Sequence, residues 1–282
     1  MRFINPKTDF AFKKIFGDEQ NKEILISFLN AILYQGNSAI QSLEILNPYQ
    51  PPKIRGIKDT YLDIRAKLNN EQTVIIEMQV LNVEGFEKRI LYNAAKAYSI
   101  QLDTGVDYTL LNPVIALTIT DFEMFPNLDK VISRFVLKER DYLVDYLIYD
   151  IELVFVELPK FGKKLEELET LTDKWIYFLK NAKSLEVVPE PMGEVEAIKK
   201  AFEVANRADL TREELEDLEH QEIYIQDQRN AITKAVNQAV SQAMKEKALE
   251  IAKGLLDVLD EATIAQTTGL SIEEIQKLKQ AR

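Results

Sequence analysis

The stretch TVIIEMQV, residues 73–80, places a carboxylate and an amide in the most apolar part of the first hundred residues. Apolar side chains occupy every second position: Val74, Ile76, Met78 and Val80. This alternation predicts a β-strand with one buried face. Glu77 and Gln79 then lie on the opposite face, and a charged residue on a strand of the core needs a physical or functional reason.

A second alternating segment, YLDIRAKL at residues 61–68, precedes the first, and the polar sequence NNEQ separates the two. This arrangement predicts a β-hairpin. Matching the apolar faces pairs odd-numbered residues with odd-numbered ones, and the simplest register, centred on Asn70, sets Asp63 opposite Glu77. At the roughly 5 Å expected between their Cβ atoms, two charged carboxylates repel by roughly 3 kcal/mol at an effective dielectric constant near 20.

Three arrangements would relieve this repulsion: a neighbouring cation, protonation of one acid, or a hard divalent ion between the two. Arg65 and Lys67 share the face of Asp63, so a solvated hairpin with mixed charges also explains the pattern. Taken alone, the pattern favours the solvated hairpin over a metal site.

The segments around the hairpin predict a mixed α/β unit that ends near residue 160. A helical stripe over residues 21–36 precedes a strand at 42–47 and a proline-rich loop at 48–59. After the hairpin come a helix over 85–102 and a buried strand over 113–122. Two further strands are predicted within 130–137 and 147–158. The order in the first 120 residues is therefore helix, three strands, helix, strand.

After residue 160 the pattern is helical, and we divide the chain into residues 1–160, a helical extension at 161–220 and a tail at 221–282. A proline-free stretch over 222–259 carries a narrow apolar stripe. The stripe predicts a homo-oligomer paired through this helix, or a surface helix lying on its own domain. The end of the chain predicts two short helices, with Gly269 at the break and Ser271 capping the second.

Composition limits the chemistry. The chain has 282 residues, no cysteine and one histidine, His220, which excludes disulfides, thiolate nucleophiles and cysteine-ligated zinc. A catalytic metal would have to be held by oxygen atoms. With no long apolar run and no secretory signal, we expect a cytoplasmic protein without a membrane partner.

The charge is unevenly distributed. The net charge is −11, but the first 100 residues contain 13 Lys and Arg against 11 Asp and Glu, and the other 182 contain 22 against 35. The acidity therefore lies in the later part, and the first third is compatible with a DNA partner.

Several motifs occur together in one order: TDFAFKKIFG, YLDIRAK, IIEMQ, RILYNAAKAYSIQL, PVIALTITDF and TTGLSIEEIQKL. In these motifs the chain resembles the Rpn recombination-promoting nucleases, also described as PD-(D/E)XK nuclease family transposases. The resemblance is tightest before residue 125. It implies a restriction-endonuclease-like α/β core, with a mixed sheet flanked by helices, followed by an all-α C-terminal region.

The resemblance also implies an activity, a Mg²⁺-dependent DNA endonuclease. Asp63 and Glu77 would hold Mg²⁺ or another divalent cation together with the backbone carbonyl of Met78, a ligand set that suits a hard ion. Gln79 stands where the wider superfamily has lysine, and it would orient water or phosphate through its amide.

Other residues match the family pattern near this site. Asp9 is interpreted as a helix cap or as an assistant at the metal, and Lys13 as a phosphate contact. Arg89 and Lys96 are candidates for the positive charge that Gln79 lacks, and Tyr92 is a candidate DNA contact.

Three hypotheses follow. The first is a metal-dependent endonuclease that makes breaks and so promotes recombination. The second is a DNA-binding module that keeps the nuclease fold but has little activity, consistent with the net acidity and with Gln79. The third is an assembly protein that associates through its long helix.

Overall fold

The computed structural model describes residues 2–50, 60–103 and 105–280. The predicted loop at 48–59 therefore lies largely outside the described residues. The helices are α1 (Asp9–Phe16), α2 (Lys22–Tyr34), α3 (Phe86–Ser99), α4 (Leu171–Asn181), α5 (Glu190–Gly193), α6 (Glu196–Val204), α7 (Arg212–Leu255), α8 (Glu261–Thr268) and α9 (Ile272–Gln280). The strands are β1 (Leu43–Leu46), β2 (Tyr49–Gln50), β3 (Thr60–Tyr61), β4 (Ile64–Leu68), β5 (Thr73–Gln79), β6 (Val114–Thr120), β7 (Ile132–Phe135) and β8 (Ile151–Glu157).

Six of these strands form one mixed sheet in the order β1-β4-β5-β6-β8-β7. Strands β1, β4 and β5 are antiparallel neighbours, β5, β6 and β8 run parallel, and β7 is antiparallel to β8. The predicted mixed α/β fold with a helical C-terminal region is confirmed.

The predicted hairpin register is confirmed, since Ile64 pairs with Ile76 and Lys67 with Thr73. The first strand of the hairpin is shorter than predicted, because it is interrupted at residues 62 and 63. Tyr61 instead belongs to a separate two-stranded ribbon, in which it pairs with Tyr49. The sequence-based order left out this ribbon and the short helix α1, although the interpretation of Asp9 as a helix cap implies a helix at that place.

Helices cover both faces of the sheet. The even-numbered side chains of β5 point into the main core, which also contains aromatic residues of the surrounding helices: Phe12 and Phe16 of α1, Phe28 of α2, Trp175 and Phe178 of α4, and Phe202 of α6. The other face packs against α3, through Ala94 and Ala97 beside Ile75. The odd-numbered residues of β5 therefore lie between the sheet and α3.

The chain divides into two compact units, Met1–Ile225 and Gln226–Arg282. Residues of the predicted helical extension, among them Trp175 and Phe202, belong to the same hydrophobic core as the sheet. The domain boundaries proposed at residues 160 and 220 stay a prediction.

The second unit ends in the two predicted short helices. Gly269 ends α8 with a left-handed φ of 75°, a conformation that glycine adopts without strain. The Ser271 hydroxyl accepts a hydrogen bond from the Glu274 backbone N–H at 3.2 Å, and the Glu274 carboxylate accepts one from the Ser271 N–H at 3.0 Å. Both predicted helix signals are confirmed.

Within the described parts of the chain, no helix combines the length and the apolar character needed to cross a bilayer.

Candidate active site

A cleft of about 400 Å³ opens where β5 ends and α3 faces the sheet. The structure brings most of the predicted site residues together there. The lining residues are Asp9, Thr60, Tyr61, Asp63, Glu77, Met78, Gln79, Arg89, Tyr92 and Asn93.

Asp63 lies just before β4, where its carboxylate replaces a main-chain partner of β5. One carboxylate oxygen, Oδ2, accepts a hydrogen bond of 2.7 Å from the Met78 backbone N–H. The side chain is 19% exposed. The pKa of Asp63 is raised to about 7, mainly by burial; the Met78 N–H and the Lys13 ammonium oppose this rise, and the neighbouring Asp9 adds to it.

Glu77, on the central strand β5, also lines the cleft. Its carboxylate accepts a short hydrogen bond from the Asn93 side-chain amide, and Oε2 lies 3.7 Å from the Arg89 guanidinium. Burial raises the pKa of Glu77, although Arg89 and Asn93 each partly lower it. Both acids of the pair are therefore held in a cleft that disfavours their charged forms.

The break in the hydrogen bonding between β4 and β5 affects the Met78 carbonyl, the predicted main-chain ligand of the metal. In β5, odd-numbered main-chain groups bond toward β6, as the Thr73 N–H and the Gln79 carbonyl do. The Met78 N–H and C=O therefore point toward the β4 side. In a continuous ladder the Leu62 N–H would pair with the Met78 carbonyl, but it donates to the Pro48 carbonyl at 3.2 Å. The Met78 carbonyl thus faces the gap beside Asp63.

The Gln79 amide is bonded within the protein at both ends. Its Nε2 donates to the Leu81 carbonyl at 2.7 Å, and its Oε1 accepts a bond of 2.8 Å from the Arg89 guanidinium. The predicted role of orienting water or phosphate thus competes with two existing contacts. Of the two cations considered as substitutes for the missing lysine, Arg89 is the one that reaches this position.

The opening helix corrects one interpretation. The N-cap of α1 is Thr8, whose hydroxyl accepts a hydrogen bond of 3.3 Å from the Ala11 N–H. Asp9 is the first helical residue, and it pairs with Lys13 at 2.6 Å. It therefore does not cap the helix and instead contributes negative charge to the cleft. Lys13 also lies 3.7 Å from Asp63.

Lys96 occupies a different place. Its side chain is buried, and Nζ donates to the Gln50 carbonyl at 2.7 Å. It is not among the described residues that line the cleft. This placement argues against Lys96 as the source of the positive charge that Gln79 lacks, because a buried ammonium bonded to a carbonyl is not presented to DNA.

Lys67 of the adjoining strand β4 does not offset the charges of the pair either. Its side chain lies at the hairpin turn, where it forms a short ion pair with Glu71. The cations that reach the two acids come from helices, Lys13 from α1 and Arg89 from α3. The solvated-hairpin interpretation therefore does not describe this face.

Sequence reasoning missed Asn93. It lies in the buried stripe of α3, with Phe86, Ile90 and Ala97, at the spacing of one helix face. An amide within an otherwise apolar stripe was a usable signal. Asn93 Oδ1 is buried without a hydrogen-bond partner among the described residues.

The donor set is compatible with a hard divalent cation. Among the described residues, no group of three or more His, Cys, Asp or Glu side chains forms a metal cage. Two carboxylates and a main-chain carbonyl from residues that line one cleft suit an ion such as Mg²⁺, which usually binds one or two carboxylates and completes its shell with water and phosphate oxygens.

A mixed sheet flanked by helices, with paired acids at the end of its hairpin, defines a nuclease-like protein of the PD-(D/E)XK class. The family model described as PD-(D/E)XK nuclease family transposase matches residues 6–235, and the chain belongs to this family. The nucleases of this class generally use divalent cations. Neither a curated protein nor a solved structure gave a significant match to the chain.

The raised pKa of Asp63 predicts that the metal-free protein loses stability as pH rises. The pKa of Asp63 is about 7 in the folded state and 3.8 for an ordinary aspartate. Protonation of Asp63 therefore stabilises the folded state fully below pH 3.8, and this stabilisation is lost as pH rises through about 7. Asp63→Asn removes this dependence. At pH 8 in EDTA we expect the variant to be roughly 2 kcal/mol more stable, with a Tm several degrees higher.

Thermal unfolding of wild type and Asp63→Asn between pH 4.5 and 8.5 measures this effect. Asp129→Asn, which changes an exposed acid, is the matched control and should follow wild type. Equal Tm values for all three proteins at pH 8 would show that Asp63 carries no ionisation penalty.

Proposed function

We propose that the protein is a divalent-metal-dependent DNA endonuclease. Asp63, Glu77 and the Met78 carbonyl would hold the ion. One observation carries the proposal: two acids with raised pKa values share one open cleft with a cation beside each. When bound, the ion would activate water and offset the charge that develops on the phosphate.

The chain's own residues have distinct roles in this proposal. Asn93 fixes the Glu77 carboxylate through the amide hydrogen bond. Gln79 positions Arg89, whose guanidinium has five N–H donors and remains about half exposed. The donors of Arg89 that are not used by Gln79 can bind a phosphate oxygen. Tyr92 and Tyr61 lie at the cleft and offer aromatic surface to the nucleic acid.

The metal requirement gives the direct test. Purified protein should nick plasmid DNA with Mg²⁺, lose this activity in EDTA and regain it when excess Mg²⁺ is added. Titration calorimetry with MgCl₂ alone should detect binding that Glu77→Gln weakens at least tenfold, because one of two anionic ligands is gone. Cleavage that persists in EDTA would contradict the proposal.

A second candidate function is a nuclease-fold DNA-binding module with weak activity. The hydrogen bonds at both ends of the Gln79 amide favour this second function, because they engage the side chain that stands where the superfamily has lysine. Retention of DNA in a mobility-shift assay without cleavage at any Mg²⁺ concentration would support this function.

The role in recombination, the cytoplasmic location and self-association through the C-terminal helix stay predictions. Apolar side chains along the exposed part of α7 supply a surface for such pairing: Ile232, Val236, Val240 and Met244.

A further inference from the structure

The segment between β7 and β8, residues 137–149, forms a hairpin with an unusual surface. Eight of its large apolar side chains are at least half exposed: Leu137, Tyr142, Leu143, Val144, Tyr146, Leu147, Ile148 and Tyr149. Leu147 reaches 93%. Contiguous apolar surface of this kind in a folded protein commonly marks an interaction site. We call residues 137–149 the apolar hairpin.

The apolar hairpin is a formed structure. The Glu139 N–H donates to the Val144 carbonyl at 2.8 Å, and the Tyr146 N–H donates to the Leu137 carbonyl at 3.0 Å. Its turn holds Leu143 at a φ of 55°, in the left-handed region that disfavours a branched side chain. A turn that keeps this strained conformation presents its side chains in a defined arrangement.

Large apolar side chains are exposed on both faces of the hairpin. On one face Lys138 and Asp145 pair, with Nζ and Oδ1 2.5 Å apart, and strand alternation puts Leu147 on the same face. On the other face Leu137 is opposite Tyr146, and Val144 beside them is opposite Glu139. The charged side chains therefore lie among exposed apolar ones on both faces.

The hairpin lies away from the cleft. The hairpin precedes Ile151, the first residue of β8. The cleft is at the other end of this strand, because Glu157, the last residue of β8, pairs with Thr120 of β6, which pairs with Gln79 of β5. A seven-residue strand spans about 20 Å. A partner bound to the hairpin would therefore leave the active site accessible.

The charges of the hairpin argue against DNA or an anionic membrane as its partner. Three acids, Glu139, Asp141 and Asp145, outnumber two cations, Lys138 and Arg140. Nucleic acids and anionic lipids are held by an excess of Lys and Arg. A near-neutral surface with both signs of charge suits a protein surface of similar composition.

The exposed area is of the size that a stable dimer buries. A fully buried aromatic side chain removes about 150–250 Å² from solvent, and three of the eight side chains are tyrosines; over both faces and the turn the eight together expose on the order of 1,000 Å². A standard interface buries about 800 Å² per partner. We propose that two copies of this chain associate through the apolar hairpin, related by a two-fold axis so that each copy contributes the same surface.

Sedimentation velocity of the full chain tests the proposal without requiring nuclease activity. We expect wild type to dimerise at micromolar concentration, and Val144→Lys with Leu147→Lys to raise the dimer dissociation constant at least tenfold. Val144→Thr keeps the β-branched shape, and should weaken association less than Val144→Lys. Tyr108→Lys changes another exposed aromatic and should remain within twofold of wild type. Val236→Lys tests the stripe of α7 separately.

Three results would overturn the proposal. Wild type could be monomeric at 100 µM, the double lysine variant could associate like wild type, or Val236→Lys alone could abolish association. Loss of association by the hairpin variant and retention by Tyr108→Lys would support it, provided that circular dichroism shows both proteins folded.

Discussion

Asp63→Asn is expected to reduce Mg²⁺-dependent cleavage of plasmid DNA at least about 1,000-fold, equivalent to about 4 kcal/mol of transition-state stabilisation. The amide can still accept the Met78 N–H bond, so the local fold should persist. What is lost is the negative charge that would hold the cation. Glu77→Gln should have an effect of similar size, because it removes the other carboxylate from the same cleft.

Initial nicking rates at saturating Mg²⁺ measure this loss. Asp129→Asn removes an exposed acid and should cleave at the rate of wild type. The opposite effects expected for Asp63→Asn, lower activity and higher metal-free Tm, make general misfolding an insufficient explanation. Unchanged nicking by both Asp63→Asn and Glu77→Gln would contradict the assignment of the acids.

Arg89→Gln is expected to lower the cleavage rate about 100-fold, the size of effect seen when one electrostatic donor to a transition state is removed. The guanidinium donates to Gln79 and lies near Glu77, so we expect it to supply the positive charge at the position where the superfamily has lysine. Arg89→Lys should retain an intermediate rate, because it keeps the charge but loses the planar set of donors.

The control for this prediction is Lys88→Gln, which removes one charge from the adjacent and exposed position of α3. It should change DNA affinity slightly and the rate at saturating DNA by less than twofold. If Arg89→Gln and Lys88→Gln behaved alike, Arg89 would contribute only general attraction to DNA. Single-turnover rates at saturating DNA separate this outcome from a direct role at the phosphate.

Much of the site was predictable because strand periodicity is a local property. The alternation in TVIIEMQV predicted which side chains of β5 enter the main core, and the apolar match with the preceding segment predicted a register that the structure confirms. The alternation did not predict that the other face is covered as well, by α3 over Ile75. Once that register is set, Asp63 and Glu77 must occupy the same face. The family resemblance added the ligand and cofactor expectations that no periodicity contains.

The remaining contacts were not predictable because they depend on which element approaches from elsewhere. Asp9 as a cap was wrong, since Thr8 takes that role and leaves the Asp9 carboxylate at the cleft. Lys96 lies on the same helix as Arg89, but it is buried and donates to the Gln50 carbonyl. Helical spacing places a side chain on a face, but it does not say what that face meets.

The sequence by itself determined the pairing of the hairpin strands, their register and the shared face of two acids, since these follow from side-chain alternation along neighbouring segments. The tertiary structure alone decided the charge environment of those acids. Lys13 and Arg89 come from helices on different sides of the sheet, and the burial that raises the pKa of Asp63 comes from packed layers. Local sequence sets which groups face together, whereas desolvation and long-range charge contacts depend on the assembled core.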